Sequence, residues 1–536
     1  MRPAPVLTSP PAATARSADV LFAVLPFSPL APALDASTIA AAAQARGLST
    51  RIEYFNLSYA SGMDVGFYDS LAARAPLESL IADWVFRDCA FGRTDATDYL
   101  ALLISRGQAS ADFVPRLLAA RRAASQFLTD HVKAVAEQPP AVICFVDTFA
   151  KRDAVAGQLM ASLAFARALR TVAPSVVSVL AGPFTEGPMG RALAQLSFVD
   201  HVCTGRATTS LPGLLADLAT GGRHAPPSLV GPASPEVSER SRRLELAIPD
   251  FDDYFALRDA GLPGRFDALP METSTGCWWA ERSHCTFCGL NGADVRFRSK
   301  TPRRVMRELD RLVERYAPTV VEMNDLILDP AYMTDLFPPL ARRRHDLHIF
   351  YETRANIGRH ALETMFAAGV RTVQAGIESF SPVTLRRMGK GASPRRSLRF
   401  LRDCHEVGIR CIWNYLHSVP GETGPDLLTA LPSIEAGVGL EPPVSFGRVR
   451  VVRFSPYFLR PVDHGVTGVR PDRSYAHVYG GSGLALDQLA YFFEHEDHAD
   501  SRERRAAVAR VGLAVRTWQE RWESHERTND SLAGTH

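Results

Sequence analysis

Short apolar runs recur along this chain, each closed by a polar or glycine-bearing break and followed by a stretch whose apolar residues are spaced three and four apart. In the first half, 20–25, 51–57, 142–146, 176–180 and 199–203 predict strands. Helices are predicted over 35–45, stopped by Gly47, over much of 68–136, around Leu159, Leu163 and Ala166 on one face, and over 189–196 and 211–218. Strands that alternate with helices imply a parallel, doubly wound, Rossmann-like sheet. Ligands of such sheets bind beyond the carboxyl ends of the strands, where loops carrying Pro26, Asp147, Gly182 and Gly205 would gather.

A second series begins after residue 265. Its predicted strands are 269–275, 320–325, 347–353, 372–377, 411–416 and 449–454, separated by helical patterns over 303–315, 359–368 and 397–407. This rhythm predicts an open, partial (β/α)6 barrel with its working residues at the strands' carboxyl ends. Helical periodicity returns over 484–525. The expected organisation is a disordered lead-in (1–17), a Rossmann-like domain with a helical insertion (18–222), a linker (223–265), the partial barrel (266–460) and a helical C-terminal region (461–536).

Composition narrows the function classes. The 60 Lys and Arg residues nearly balance the 58 Asp and Glu, so there is no broad basic field to gather nucleic acid or an anionic membrane. The amino-terminal stretch has no signal-like apolar core, and Pro26, Pro29 and Pro32 interrupt the next apolar one. A cytoplasmic protein with no nucleic-acid or membrane partner is expected. Lysines occur only at 133, 151, 300 and 390, so wherever one appears within a motif it stands out against the arginines.

Eight cysteines are too sparse for a disulfide scaffold, yet Cys277, Cys285 and Cys288 fall within one loop directly after a predicted strand. Three thiolates on one loop can hold three irons of a 4Fe-4S cubane and leave the fourth iron open. The competing reading is a zinc site that adds His284, although adjacent His284 and Cys285 would have to bend back onto one ion. Cys89, Cys144, Cys203, Cys404 and Cys411 stand singly and read as buried apolar residues.

The block CWWAERSHCTFCGLNG, followed by RFRSK, resembles the cobalamin-dependent radical S-adenosylmethionine (SAM) C-methyltransferases that mature ribosomally made peptides. Upstream, YFNLSYASGMDVGFYDSL and AGPFTEGPMG are similar to that family's N-terminal region. Downstream, YETRANI, QAGIESFSPVTLRRMGKG, WNYLHSVPGE, RFSPYF and LAYFFE follow in the family's order.

The resemblance implies residue roles. Cys277, Cys285 and Cys288 would ligate the cluster, and Phe287 would contact the SAM adenine. Asn324 and Asp325 would hold the SAM amino group, and Glu378 would accept the ribose hydroxyls. VPGE at 419–422 would form the adenine-side turn. A helix cap competes for Asp325 and a plain turn for VPGE. Arg298, Lys300, Arg354 and Arg453 read individually as solvated or salt-bridged, with an anion-holding role as the alternative; Tyr351, Trp413 and Tyr457 read as cavity walls or core.

In the N-terminal domain the resemblance implies a cobalamin-binding fold, with Gly182, Glu186, Gly187, Met189, Gly190 and Gly205 in the family's positions. No Asp-x-His-x-x-Gly run offers a histidine to cobalt. Val146 and Asp147 replace a Thr-Ser pair of the family. The expected activity is methylation of an unactivated peptide carbon by a 5′-deoxyadenosyl radical and methylcobalamin, with a precursor peptide and an external flavodoxin- or ferredoxin-type electron donor as partners. Two alternatives stay open. One is a cobalamin-independent peptide epimerase or cyclase, the other a non-catalytic cluster- or zinc-bearing binding protein.

Overall fold

Val20–Val24, the sequence VLFAV, is apolar at every position and buried at every position, as a strand covered on both faces must be. It is β1 in the computed structural model, which describes residues 18–147, 157–219, 228–230, 243–265, 268–343, 346–497 and 501–533. The expected lead-in, 1–17, lies outside the described residues. The chain divides into two compact units. The first comprises Met1–Arg240, Glu245–Phe266 and Pro471–Tyr491; the second comprises Ser241–Leu244, Asp267–Arg470 and Phe492–His536.

In the first unit β1 joins β2 (Thr50–Tyr54), β3 (Val142–Val146), β4 (Val177–Ala181), β5 (His201–Cys203) and β6 (Ser228–Val230) in the order β2-β1-β3-β4-β5-β6. All five pairings are parallel. The order reverses between β1 and β3, the flavodoxin-like arrangement, so the ligand crevice of the fold opens at the exits of those two strands. The predicted linker departs from expectation: within it Ser228–Val230 supplies the edge strand, and the helix Asp252–Asp259 docks on β2. Tyr254 explains that docking, because its ring meets Tyr54 at 5.2 Å and its hydroxyl donates to the Leu30 carbonyl at 2.9 Å. The predicted helical stretch over 68–136 resolves into several helices, the longest Phe113–Glu137.

In the second unit β7 (Leu269–Met271), β10 (Val320–Met323), β11 (His348–Thr353), β12 (Val370–Ala375) and β13 (Arg410–Ile412) form a wholly parallel sheet in sequential order. Two short strands, β8 (Ser274–Thr275) and β9 (Arg298–Ser299), pair antiparallel on either side of the cysteine loop. The wall continues through β14 (Asn414–His417), bridged to Glu378, and β15 (Ser445–Arg448), which pairs parallel with β14. This is a partial barrel of six strand positions.

One expectation is corrected here. The sixth barrel strand is Ser445–Arg448, upstream of the apolar run at 449–454; within that run Val451–Val452 pairs antiparallel with Phe492–Glu496 in a small separate sheet. The C-terminal region is helical as expected, ending in the long helix Arg502–Ala533, and it also carries two short strands, Thr467–Pro471 and Phe492–Glu496. Among the described residues no helix is long and apolar enough to cross a membrane.

Candidate active site

The cysteine loop leaves β8 at Gly276 and is fastened at both ends. Gly276 has φ of +70°, and a Cβ there would strike the Arg296 carbonyl, so the loop's return strand closes tightly on its start. The Cys277 amide donates to the Val295 carbonyl at 3.1 Å, and the Cys288 amide donates to the Cys285 carbonyl at 3.0 Å. All three thiols are unpaired and half-buried. Burial raises the Cys277 thiol and pushes the Cys288 thiol up to about 12, with the neighbouring thiols adding to both shifts, so the three sulfurs share one electrostatic environment. Coordination to iron removes the cost of such thiolates by replacing the proton.

His284 does not join them. Its ring hydrogen-bonds the Cys288 backbone. Among the described residues no three His, Cys, Asp or Glu side chains converge on one point as a single-ion site would require. A cubane instead spreads its thiolates over separate irons, so the donor set fits a 4Fe-4S cluster.

The segment after β12 wraps this loop. The Thr286 amide donates to the Met388 carbonyl at 3.0 Å and its hydroxyl to the Arg387 carbonyl at 3.1 Å, while Trp279 Nε1 donates to the Gly389 carbonyl at 3.3 Å. From this wrap Lys390 Nζ donates to Glu378 Oε1 at 2.7 Å and stands 5.8 Å from the centre of the Phe287 ring. Burial works against the Lys390 charge, but Glu378 and the Cys285 thiol outweigh it and raise its pKa. Arg354 joins the group: it stacks 3.6 Å over the Trp279 ring, donates to the Lys390 carbonyl, and its charge is sensed by Cys285, Cys277 and Glu378.

Phe287, Glu378 and the cysteines are therefore brought together as expected. Glu378 sits at φ +65°, and Ser418 at +57° and Phe454 at +69° mark two later strand exits. Non-glycine residues in this region store backbone strain, which concentrates at working sites.

Asp325 is a different matter. Fully buried, its carboxylate accepts from the Thr273 amide at 2.6 Å, the Ser274 amide at 3.0 Å and the Thr273 hydroxyl. These are not the bonds of a helix cap: they clamp the exit of β10 to the segment between β7 and β8, from which the cysteine loop departs. Asn324, beside it, is anchored by its own amide on the Met271 carbonyl at 2.6 Å.

Glu422 of VPGE is likewise structural, accepting from its own turn at the Val419 amide (3.2 Å) and from the Thr384 hydroxyl. Lys300 forms a buried pair with Glu308, both oxygens at 2.9 Å, and Arg298 pairs with Asp294. Arg453 packs on Phe458 and Phe493. Gly182 and Gly205 lie in the other unit, at the exits of β4 and β5. Sequence reasoning gave no role to Lys390 beyond its place in a motif. Its rarity as a lysine was the available signal.

Residues 271–431 match the model of the Radical SAM superfamily. An uncharacterized methyltransferase of Pyrococcus horikoshii is 26% identical over 175 residues, 30% of this chain and 37% of that protein, so the chain spans little more than a third of this curated relative. The structure of the radical SAM methyltransferase TsrM from Kitasatospora setae with cobalamin and a [4Fe-4S] cluster is similar at a TM-score of 0.57, with 15% identity, 94% of this chain and 89% of that one. TsrM with tryptophan and a SAM analogue gives 0.58, with 14% identity, 96% and 99%. The cobalamin-dependent radical enzyme OxsB with aqua-cobalamin and SAM gives 0.51, with 14% identity, 71% and 59%. At such identities these are likenesses of fold. The chain thus carries a Radical SAM domain, whose shared cofactors are a 4Fe-4S cluster and SAM, within a fold similar to those of TsrM and OxsB.

Proposed function

We propose that this protein is a cobalamin-dependent radical SAM methyltransferase acting on an unactivated carbon of a ribosomally made peptide, with an external flavodoxin- or ferredoxin-type protein as electron donor. The observation that carries the reading is the pairing, in one chain, of a flavodoxin-like sheet having an order reversal at β1/β3 with a partial barrel whose first loop bears Cys277, Cys285 and Cys288. Likeness to TsrM over 94% of the chain supports it, as does the methyltransferase relative.

When bound, the cluster and SAM supply a 5′-deoxyadenosyl radical that removes a hydrogen atom, and methylcobalamin supplies the methyl group. The chain's own part is to hold and orient. Cys277, Cys285 and Cys288 ligate, the Lys390–Glu378 pair sets a fixed dipole beside them, and Phe287 shields the cluster from water. Glu378 keeps a second carboxylate oxygen suited to a diol.

A radical enzyme working without cobalamin is favoured by one observation. Gly182 and Gly190 are accounted for by backbone packing: a Cβ at Gly182 (φ +126°) would enter Asp147, and one at Gly190 would enter the Thr185 carbonyl. Neither glycine therefore requires a corrin.

Anaerobic reconstitution with iron, sulfide and cobalamin, followed by turnover with SAM and candidate precursor peptides, decides between them. The proposal expects retained corrin, 5′-deoxyadenosine, S-adenosylhomocysteine and a methylated peptide. Deoxyadenosine without corrin retention or methylated peptide overturns it in favour of the second reading.

A further inference from the structure

Beside the cysteine loop, inside the second unit, lies a cavity of about 610 Å³. Its walls are two indoles that cannot swing. Trp278 Nε1 donates to the Leu328 carbonyl at 3.1 Å and Trp279 Nε1 to the Gly389 carbonyl at 3.3 Å, which turns the ring faces rather than the N–H groups toward neighbours. The rings meet edge to face at 89°. Gly391, at φ +60°, makes the seat for Trp279, since a Cβ there would stand 2.6 Å from the ring's Cη2.

Three guanidinium groups line the same cavity: Arg282, Arg354 and Arg396. Arg354 is held flat on Trp279. Neither Arg282 nor Arg396 has a carboxylate partner among the described residues; both side chains are exposed at the cavity's mouth. The lone acid in the lining, Asp329, accepts from the Ala331 amide at 2.9 Å and so closes its own turn. The cavity is therefore cationic and planar-walled, and rigid where it is apolar.

Arginine forks pair with carboxylates in two-point geometry, and a guanidinium stacked on an indole is already oriented to do so. None of the cluster cysteines, Phe287 or Glu378 lines this space, whereas Arg354 senses both the thiols and Glu378. Arg354 thus connects the cavity to the cluster's surroundings without making it the same site.

We infer that this cavity receives the carboxylate of an acidic side chain of the substrate peptide, with the adjoining residue laid against the indoles. The inference rests on the peptide reading above and names the feature by which a peptide would be chosen. It gives Arg282 and Arg396 a capturing role and Arg354 a positioning one.

The test is binding to the full chain, followed by ligand-observed NMR, of acetyl-Leu-Glu-amide, acetyl-Leu-Gln-amide and inorganic phosphate. The glutamate dipeptide should bind about tenfold more tightly than its glutamine isostere, the scale of one charge-assisted pair. That preference should vanish in Arg282→Gln/Arg396→Gln protein whose melting temperature is unchanged. Equal binding of the two dipeptides, binding of phosphate alone, or a preference that survives the double substitution overturns the assignment. SAM cleavage by the reconstituted wild-type chain is measured separately. Cleavage without a glutamate preference removes only the cavity's role, whereas a chain that binds the dipeptide selectively and never cleaves SAM removes the radical reading.

Discussion

Lys390 reaches across 2.7 Å to Glu378, and the carboxylate it holds belongs to a residue in the left-handed region at φ +65°. Both side chains are nearly withdrawn from solvent, at 9% and 14% exposure. Removing one partner of such a pair leaves the other charge buried alone, a loss on the order of 3 kcal/mol, whereas removing both restores part of it. Denaturant unfolding of Lys390→Met, Glu378→Gln and the double variant should show this non-additivity. The double variant should fold yet bind SAM weakly if Glu378 takes the ribose. Additive losses would mean that the pair is not coupled, and normal SAM affinity would remove Glu378 from the site.

How much of this was legible beforehand depends on the range over which each signal acts. Strand and helix periodicity is local, so VLFAV at β1 and the sequence around β12 announce themselves. The cysteine spacing is local too, so the loop that carries it can be singled out from the sequence alone. The surroundings of Asp325 are not legible, because its partners Thr273 and Ser274 stand 52 and 51 residues earlier, and only the pairing of β10 with β7 brings them together. The run at 449–454 is equally apolar whether it forms a barrel strand or an antiparallel pair, and Phe492–Glu496 settles it from a distance. Nothing in the sequence separates Arg354 from the many other arginines; what distinguishes it is its stacking on Trp279.

The helix Arg502–Ala533 packs on the second unit through a buried face that includes Val511, Val515 and the indole of Trp518. Trp518 is fully buried, stacks on Phe380 at 6.2 Å, meets Trp413 at 5.7 Å and donates to the Leu440 carbonyl at 2.8 Å. Truncation to alanine removes those contacts and leaves a cavity, costing about 3–5 kcal/mol. Trp518→Ala should lower the unfolding midpoint of the second unit, with Trp518→Phe recovering part of the loss because only the hydrogen bond and the second ring are missing. A midpoint within error of the wild type would show that the helix is not fastened there.

Gly182 sits where β4 leaves the first sheet, with φ of +126° and the Asp147 backbone directly beside its α-carbon. Alanine there meets both a disfavoured backbone and a collision that no side-chain rotation relieves. Gly182→Ala should therefore destabilise the first unit by about 2 kcal/mol or more, visible in thermal melts of the chain without any cofactor. A cofactor-free melt that does not change, with corrin retention lost, would reverse the assignment and make Gly182 a ligand-contact residue.

Asp147 closes β3 in a fully buried position. Burial pushes its carboxyl up to about 8, against one hydrogen bond from Ser162 at 3.1 Å that favours the charge and with a push from Asp83, itself raised by burial to about 6. The ordinary carboxyl value is 3.8, so between about pH 4 and pH 8 the folded chain keeps a proton that the unfolded chain has released. Fewer protons on the unfolded side make the slope of stability against pH negative, so stability is greatest below about pH 4 on this account and is lost as pH rises toward 8. Asp147 contributes across that whole window, and Asp83 adds to it only up to about pH 6. Thermal melts at about pH 5, 7 and 8 should show the wild-type chain weakening between the last two, while Asp147→Asn, which still accepts from Ser162, stays level there. If wild type and variant weaken in parallel between pH 7 and pH 8, the proton is not on Asp147.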